Sequence, residues 1–149
     1  MEINVEDNFT LLFDKNNNTA YKALQALQKE CEKSNRVYCY MDKLADMIDS
    51  DNSYIRTRGL TLIAYNAKWD KDNKIDEIID EYLKHIEDVK PITARQCIKL
   101  LPMIAKNKPE LKEDIVSALQ KADTSIYADS MQPLVYKDIQ NSLAEIEKL

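Results

Sequence analysis

The spacing of apolar residues constrains this chain most, because they recur every three or four positions almost from end to end. Alternating apolar and polar runs long enough for a β-strand are missing, so the sequence predicts an all-α fold. Polar breaks divide the chain into an amphipathic N-terminal piece and seven helices. The predicted helices cover about residues 19–33, 37–49, 54–68, 75–87, 91–106, 109–121 and 125–149.

Individual residues mark several of these boundaries. Thr19 is expected to act as the N-cap of its helix, and residues 51–53 are expected to cap the helix that follows them. Pro91 can open a helix, since proline is favoured at the first helical position. Pro102 should kink its helix or end it early, and Pro133 should delay the last helix.

Pairs of these helices repeat. In the first helix of each pair, a shift of 38 residues carries Met41 and Ile48 onto Ile79 and Ile86. The same shift carries a set of small and apolar residues in the second helix of one pair onto the second helix of the next pair. In that set Gly59, Leu60 and Ile63 fall on Cys97, Ile98 and Leu101. Chance alignment of amphipathic helices is the alternative. A period of this length is typical of a helical solenoid.

Residues 44–63 resemble the HEAT repeat, with an apolar helix end, an Asp-rich turn, and Ile55-Arg56 at the family's Val-Arg position. Gly59 stands at the small position, and Arg56 is expected to bind the turn. The resemblance extends over about residues 19–123. It implies the armadillo-like α-α superhelix class, with about three helical hairpins plus terminal capping helices and a concave inner surface. The length of 149 residues fits one such domain, 1–149.

Composition excludes several kinds of chemistry. The chain has a single glycine, whereas phosphate-binding loops and dinucleotide fingerprints need several. One histidine and three unclustered cysteines leave little material for a zinc site or a Ser-His-Asp arrangement, so we expect no catalysis, no cofactor and no metal. The cysteines are interpreted as small buried hydrophobes in a reducing compartment. No membrane span and no secretion signal are evident, which predicts a cytoplasmic location.

Charge is segregated between the two helices of each pair. The second helices, 54–69 and 92–106, carry Arg and Lys without a carboxylate, while the first helices are rich in Asp and Glu. The resemblance implies that second helices line the inner face. A protein of net charge -5 would then present a positive groove, which can steer an anionic partner.

Helical spacing selects the candidate partner-binding residues on this inner face. They are Tyr54, Arg58, Tyr65, Lys68, Trp69, Arg95, Gln96 and Lys99. Arg58, Arg95 and Lys99 are expected to lie on the surface and outside the core. Tyr65 and Trp69 could instead complete a core or seal the end of a repeat. The lone His85 is expected to be a solvated side chain.

Three functions are compatible with this pattern. The first is a non-catalytic scaffold or adaptor that binds an acidic protein segment on the basic concave surface. The second is nucleic-acid binding, because HEAT-like proteins include alkylpurine DNA glycosylases, and Trp69 next to Asp70 is the pair that suggests it. The acidic net charge argues against this reading. The third is an enzyme subunit or assembly factor that works only in a complex, and a large exposed apolar patch would distinguish it.

Overall fold

The computed structural model describes residues 2–149, in which there are eight α-helices and no strands. The helices are α1 Val5–Leu11, α2 Asn17–Lys33, α3 Met41–Met47, α4 Ser53–Tyr65, α5 Lys74–Leu83, α6 Pro91–Asn107, α7 Lys112–Lys121 and α8 Gln132–Glu147. The predicted all-α class is confirmed. Short 3-10 turns cover Tyr38–Tyr40, Ala67–Trp69, Lys84–Glu87, Pro109–Leu111 and Thr124–Ile126.

The helix boundaries follow from capping chemistry. Asn16, not Thr19, is the N-cap of α2, since its Oδ1 accepts the amides of Asn18 and Thr19 at 2.9 and 3.1 Å. The expectation for Thr19 was therefore wrong, because an asparagine three positions earlier provides the same acceptor. Asn52 caps α4 as expected. Helix α8 begins at Gln132 with Pro133 in its first turn, which confirms the delayed start.

The chain divides into two compact units, Met1–Asp72 (unit 1) and Asn73–Leu149 (unit 2). In unit 1, α1 packs on α2, α3 packs on α4, and α2 packs on α4. Gly59 lies where α4 meets α3. A Cβ added there would lie 2.8 Å from the Cβ of Met47 and 3.1 Å from the carbonyl of Leu44, so the small residue is a steric requirement.

In unit 2, α6 packs against both α7 and α8. Helix α6 passes through Pro102 and ends at Asn107, so Pro102 does not mark a helix boundary. Proline has no amide to donate to the carbonyl of Ile98, four residues earlier. The hydroxyl of Ser142 on α8 donates to that carbonyl at 2.8 Å. A side chain of the neighbouring helix thus completes the helix that proline interrupts.

A buried lysine joins the two ends of the α5–α6 pair. The Nζ atom of Lys108, just after α6, lies 2.6 Å from the side-chain oxygen of Asn73 and 2.9 Å from a carboxylate oxygen of Asp76. Asn73 has a left-handed backbone with φ of 56° immediately before α5. Asparagine is among the few residues that adopt this conformation readily.

Candidate functional site

Arg56 is a structural arginine, as the repeat pattern predicts. Its Nη1 atom donates to the carbonyls of Ser50 and Asp51, both at 3.1 Å, and so fixes the turn between α3 and α4. The residue is buried. Arg56 is therefore a part of the turn and not of a binding surface.

Arg58 does not lie on an open surface, and the expectation that it stays outside the core was wrong. It is 7% exposed, and its Nη1 and Nη2 atoms donate to the Leu12 carbonyl at 2.8 Å and to Asn17 Oδ1 at 3.2 Å. Burial lowers the pKa of its guanidinium. The physical reason is that the α1–α2 connection covers this stripe of α4, so Arg58 holds that connection in place.

Lys68 and Trp69 bind the C-terminal end of α2. The indole Nε1 of Trp69 donates to the Cys31 carbonyl at 2.6 Å, and the Lys68 ammonium donates to the Glu32 carbonyl. Both acceptors are among the last carbonyls of α2, which have no partner within that helix. The geometry of Trp69 matches the alternative in which it seals a repeat end.

The two tyrosines of the candidate set differ in exposure. Tyr54, in the first turn of α4, is exposed, and the Cζ atom of Arg58 lies 5.8 Å from its ring centroid. Tyr65, at the end of α4, is half-buried. Of the predicted residues in unit 1, Tyr54 presents the largest open side chain.

The Trp69-Asp70 pair that suggested base repair is engaged within unit 1. Asp70 is buried, and its Oδ1 accepts the hydroxyl of Tyr38 at 2.7 Å. Burial, followed by this hydrogen bond, raises the pKa of Tyr38. The carboxylate therefore fixes a tyrosine below the surface.

One helical face of α6 presents a continuous stripe, which we call the α6 surface. Its residues follow one another at intervals of four, three, four and three, so they project on the same side of the helix. They are Ile92, Gln96, Lys99, Met103 and Lys106. Ile92, Lys99 and Lys106 are exposed, and Gln96 and Met103 are half-buried.

The charge of this stripe is all of one sign. No carboxylate occurs anywhere between residues 89 and 109. Neither Lys99 nor Lys106 has an ion pair or side-chain hydrogen bond among the described residues. The preceding helix α5, by contrast, carries exposed carboxylates at Glu77, Asp80 and Glu81. The α6 surface is thus locally positive in an acidic protein.

Arg95 lies beside the α6 surface and already binds a carboxylate. Its Nε atom is 2.6 Å from Oδ2 of Asp138 on α8, and Asp138 is buried. The hydrogen bond to Asp138 raises the pKa of Arg95. Arg95 therefore anchors α8 to α6, and only part of its side chain remains accessible.

Two exposed aliphatic residues near the start of α6 are not among the candidate partner-binding residues predicted from the sequence. Val89 is 78% exposed and Ile92 is 74% exposed. Ile92 lies on the same stripe as Lys99, so helical spacing identifies it. Val89 lies in the connection before α6, where no periodicity applies, and so no sequence signal marked it.

His85 belongs to this connection and is not solvated. Its side chain is 14% exposed, and its Nδ1 atom lies 2.7 Å from Oδ2 of the buried Asp88. The expectation of a solvated histidine was wrong, because the 3-10 turn at 84–87 brings the ring against Asp88. The same carboxylate accepts the amide of Lys90 at 2.9 Å.

Between residues 2 and 149, no three His, Cys, Asp or Glu side chains are grouped so that they could hold a metal ion. No helix in that range is both long enough and apolar enough to cross a membrane.

The family model for the HEAT repeat domain matches residues 2–142. The chain therefore belongs to the HEAT repeat domain family, which agrees with its all-helical structure and with the expected α-α superhelix class. Proteins with HEAT repeats are commonly scaffolds for protein interaction and are generally not catalysts. No curated protein and no solved structure matches the chain significantly.

Proposed function

We propose that this protein is a non-catalytic scaffold that binds an acidic protein segment along the α6 surface. The observation that carries the proposal is the pair Lys99 and Lys106, two exposed ammonium groups on a helix without carboxylates. A charge left without a partner on the protein itself is available to a carboxylate of another chain, and complementary charge speeds association and selects partners.

The contact between α6 and α8 supports a carboxylate as the preferred ligand. Asp138 binds Arg95 one turn from Lys99, so a carboxylate carried on a helix already docks on this side of α6. The contact is intramolecular, and it occupies only Arg95. Lys99 and Lys106 offer the same chemistry to a partner in trans.

The same surface favours protein over nucleic acid. The two lysines lie seven residues apart, which is about 10 Å along the helix axis. Affinity for nucleic acid depends on neutralising several phosphates, and two isolated ammonium groups provide little of that. Ile92 and Met103 also give the stripe an apolar part that a phosphate backbone cannot use.

Fluorescence anisotropy with two labelled probes tests this proposal. The probes are a glutamate-rich helical peptide and a short DNA duplex of random sequence. We expect the peptide to bind the wild type, and we expect the K99E/K106E variant to lose that binding. The control is K137E/K148E, which changes the net charge equally at exposed lysines of unit 2.

Each outcome has a defined meaning. Peptide binding that survives in K137E/K148E and is lost in K99E/K106E supports the proposal. Tighter binding of the duplex than of the peptide, with the same sensitivity to K99E/K106E, would replace it with nucleic-acid binding. Equal loss in both variants would show that net charge alone is responsible.

A further inference from the structure

The connection between α5 and α6 presents aliphatic side chains to solvent from an ordered backbone. Val89 and Ile92 are the two most exposed large hydrophobic residues between positions 2 and 149. Ile126, at 52% exposure, lies in the 3-10 turn that ends next to Tyr127. The hydroxyl of Tyr127 donates to the Asp88 carbonyl at 2.6 Å, so it joins the segments that carry Ile126 and Val89.

Polar contacts, of which the Tyr127–Asp88 hydrogen bond is buried, hold this connection against its neighbours. The Asp88 carboxylate accepts the amide of Lys90 and contacts His85, while the Asp88 carbonyl accepts Tyr127. On the other side, the carboxylate of Glu87 accepts the amide of Asp123 at 2.6 Å. Side chains presented from a fixed backbone lose less conformational entropy on binding, which favours affinity.

Ile92 lies in register with the lysines of the α6 surface. Ile92, Lys99 and Lys106 are separated by seven residues each, so the distance along the axis from the apolar end to the far lysine is about 21 Å. A partner helix packed along α6 would repeat its contacts at the same spacing, because side chains seven apart share one helical face. Within the protein, helix α8 already packs against α6.

We infer that the partner is an amphipathic helix whose aliphatic residue docks on Val89 and Ile92 and whose acidic residues, seven and fourteen positions away, meet Lys99 and Lys106. This inference rests on the proposed function and adds a specificity element to it. Charge complementarity selects the acidic part of the helix. The exposed aliphatic pair at one end sets the register in which that helix binds.

Three labelled helical peptides of about 18 residues provide the test. The first contains Leu and two Glu at this spacing, the second replaces Leu by Ala, and the third replaces both Glu by Gln. Anisotropy titrations use the wild type, V89S/I92S and K99E/K106E, with circular dichroism as a check on folding. Val89 and Ile92 are exposed, so their replacement should leave the fold intact.

We expect the Leu peptide to bind the wild type about tenfold more tightly than the Ala peptide, as burial of one aliphatic side chain predicts. In V89S/I92S the two peptides should bind equally, and the Ala peptide should bind as it does to the wild type. That pattern supports the inference.

Other patterns overturn it. If the Leu and Ala peptides bind the wild type equally and both are lost in K99E/K106E, the docking inference fails while the proposed function stands. If neither peptide binds, the proposed function fails as well. If the wild type forms a dimer that V89S/I92S disrupts, the aliphatic pair is an interface with a second copy, and the inference fails.

Discussion

The hydroxyl of Ser142 donates to the carbonyl of Ile98, the acceptor that Pro102 leaves without an amide. The bond is 2.8 Å long, and Ser142 is buried. The Arg95–Asp138 ion pair lies three residues earlier on α6 and four residues earlier on α8, so two directional contacts hold α8 on α6. These contacts position the helix that carries the α6 surface.

A double-mutant cycle should detect the relation between Ser142 and Pro102. We expect Ser142→Ala to lower the free energy of unfolding by about 1–3 kcal/mol, because the Ile98 carbonyl becomes a buried acceptor without a donor. In a Pro102→Ala background the restored amide can donate to that carbonyl, so the same change should cost less than half as much. Urea unfolding measures both values.

Ser117→Ala on α7 is the matched control for this cycle, since Ser117 is half-buried and has no side-chain hydrogen bond in the described structure. It should change stability little in either background. Equal costs of Ser142→Ala with and without Pro102 would contradict the compensation.

Arg58 should contribute to stability and not directly to partner binding. Arg58→Met keeps the aliphatic stem but removes the donors to Leu12 and Asn17, and hydrogen bonds from a charged group are worth about 1.5–3 kcal/mol. We expect a loss of this size in thermal or urea unfolding, with unchanged affinity for the acidic peptide. Lys22→Met, at an exposed position of α2, is the control. If Arg58→Met has normal stability but has lost affinity for the acidic peptide, Arg58 contacts the partner and this prediction is wrong.

Glu30 gives unit 1 a defined pH dependence. It is 2% exposed, and its pKa is lowered chiefly by the hydrogen bond from Ser34, with Lys33 and Arg36 contributing. A carboxylate whose folded pKa is depressed stabilises the protein above its unfolded pKa, which is about 4.3 for glutamate, and that contribution is lost as pH falls through the folded value.

The wild type should therefore be more stable than Glu30→Gln at pH 7, and the difference should shrink as the pH falls below about 4.3. Urea unfolding at a series of pH values measures it. A difference that stays constant down to pH 2.5, or that grows in acid, would contradict the role given to the Glu30 carboxylate.

The three cysteines should react very differently. Cys39 is exposed, while Cys31 and Cys97 are buried, so the expectation that all three are buried was wrong for Cys39. Burial raises the pKa of Cys31 to about 12, which leaves almost no thiolate at pH 8.

We expect one cysteine per chain to react rapidly with a thiol reagent in the native protein, and all three to react after denaturation. Cys39→Ser should abolish the rapid phase. Rapid reaction of two or more native thiols would contradict the described packing.

Local signals in the sequence were sufficient for much of the fold. Apolar spacing gives the helices, the repeat gives the tight position at Gly59, and the turn motif gives the role of Arg56. These features depend on residues close in sequence. The burial of Arg58 depends on contacts 41 and 46 residues away, which a helical projection of α4 alone does not contain.

The residues predicted for the binding site fall into two groups, because contacts with residues distant in sequence involve some of them and not others. Lys99 keeps the exposure that its helical position suggests, whereas Gln96 is half-buried. Lys68 and Trp69 bind α2 by contacts across 36 and 38 residues, close to the repeat period. Equivalent positions of a repeat can therefore differ in their contacts, according to which helices pack on them: Lys68 binds α2, whereas Lys106, 38 residues later, is exposed without an ion pair among residues 2–149.

Amide chemical-shift mapping can locate the surface that binds the acidic segment, which we propose is the α6 surface. A titration of the 15N-labelled protein with the glutamate-rich peptide also detects weak binding. We expect the largest shifts to cluster at residues 92–106, and we expect K99E/K106E to remove them while K137E/K148E does not. Shifts concentrated on α2 and α4 of unit 1, or no shifts at all, would contradict it.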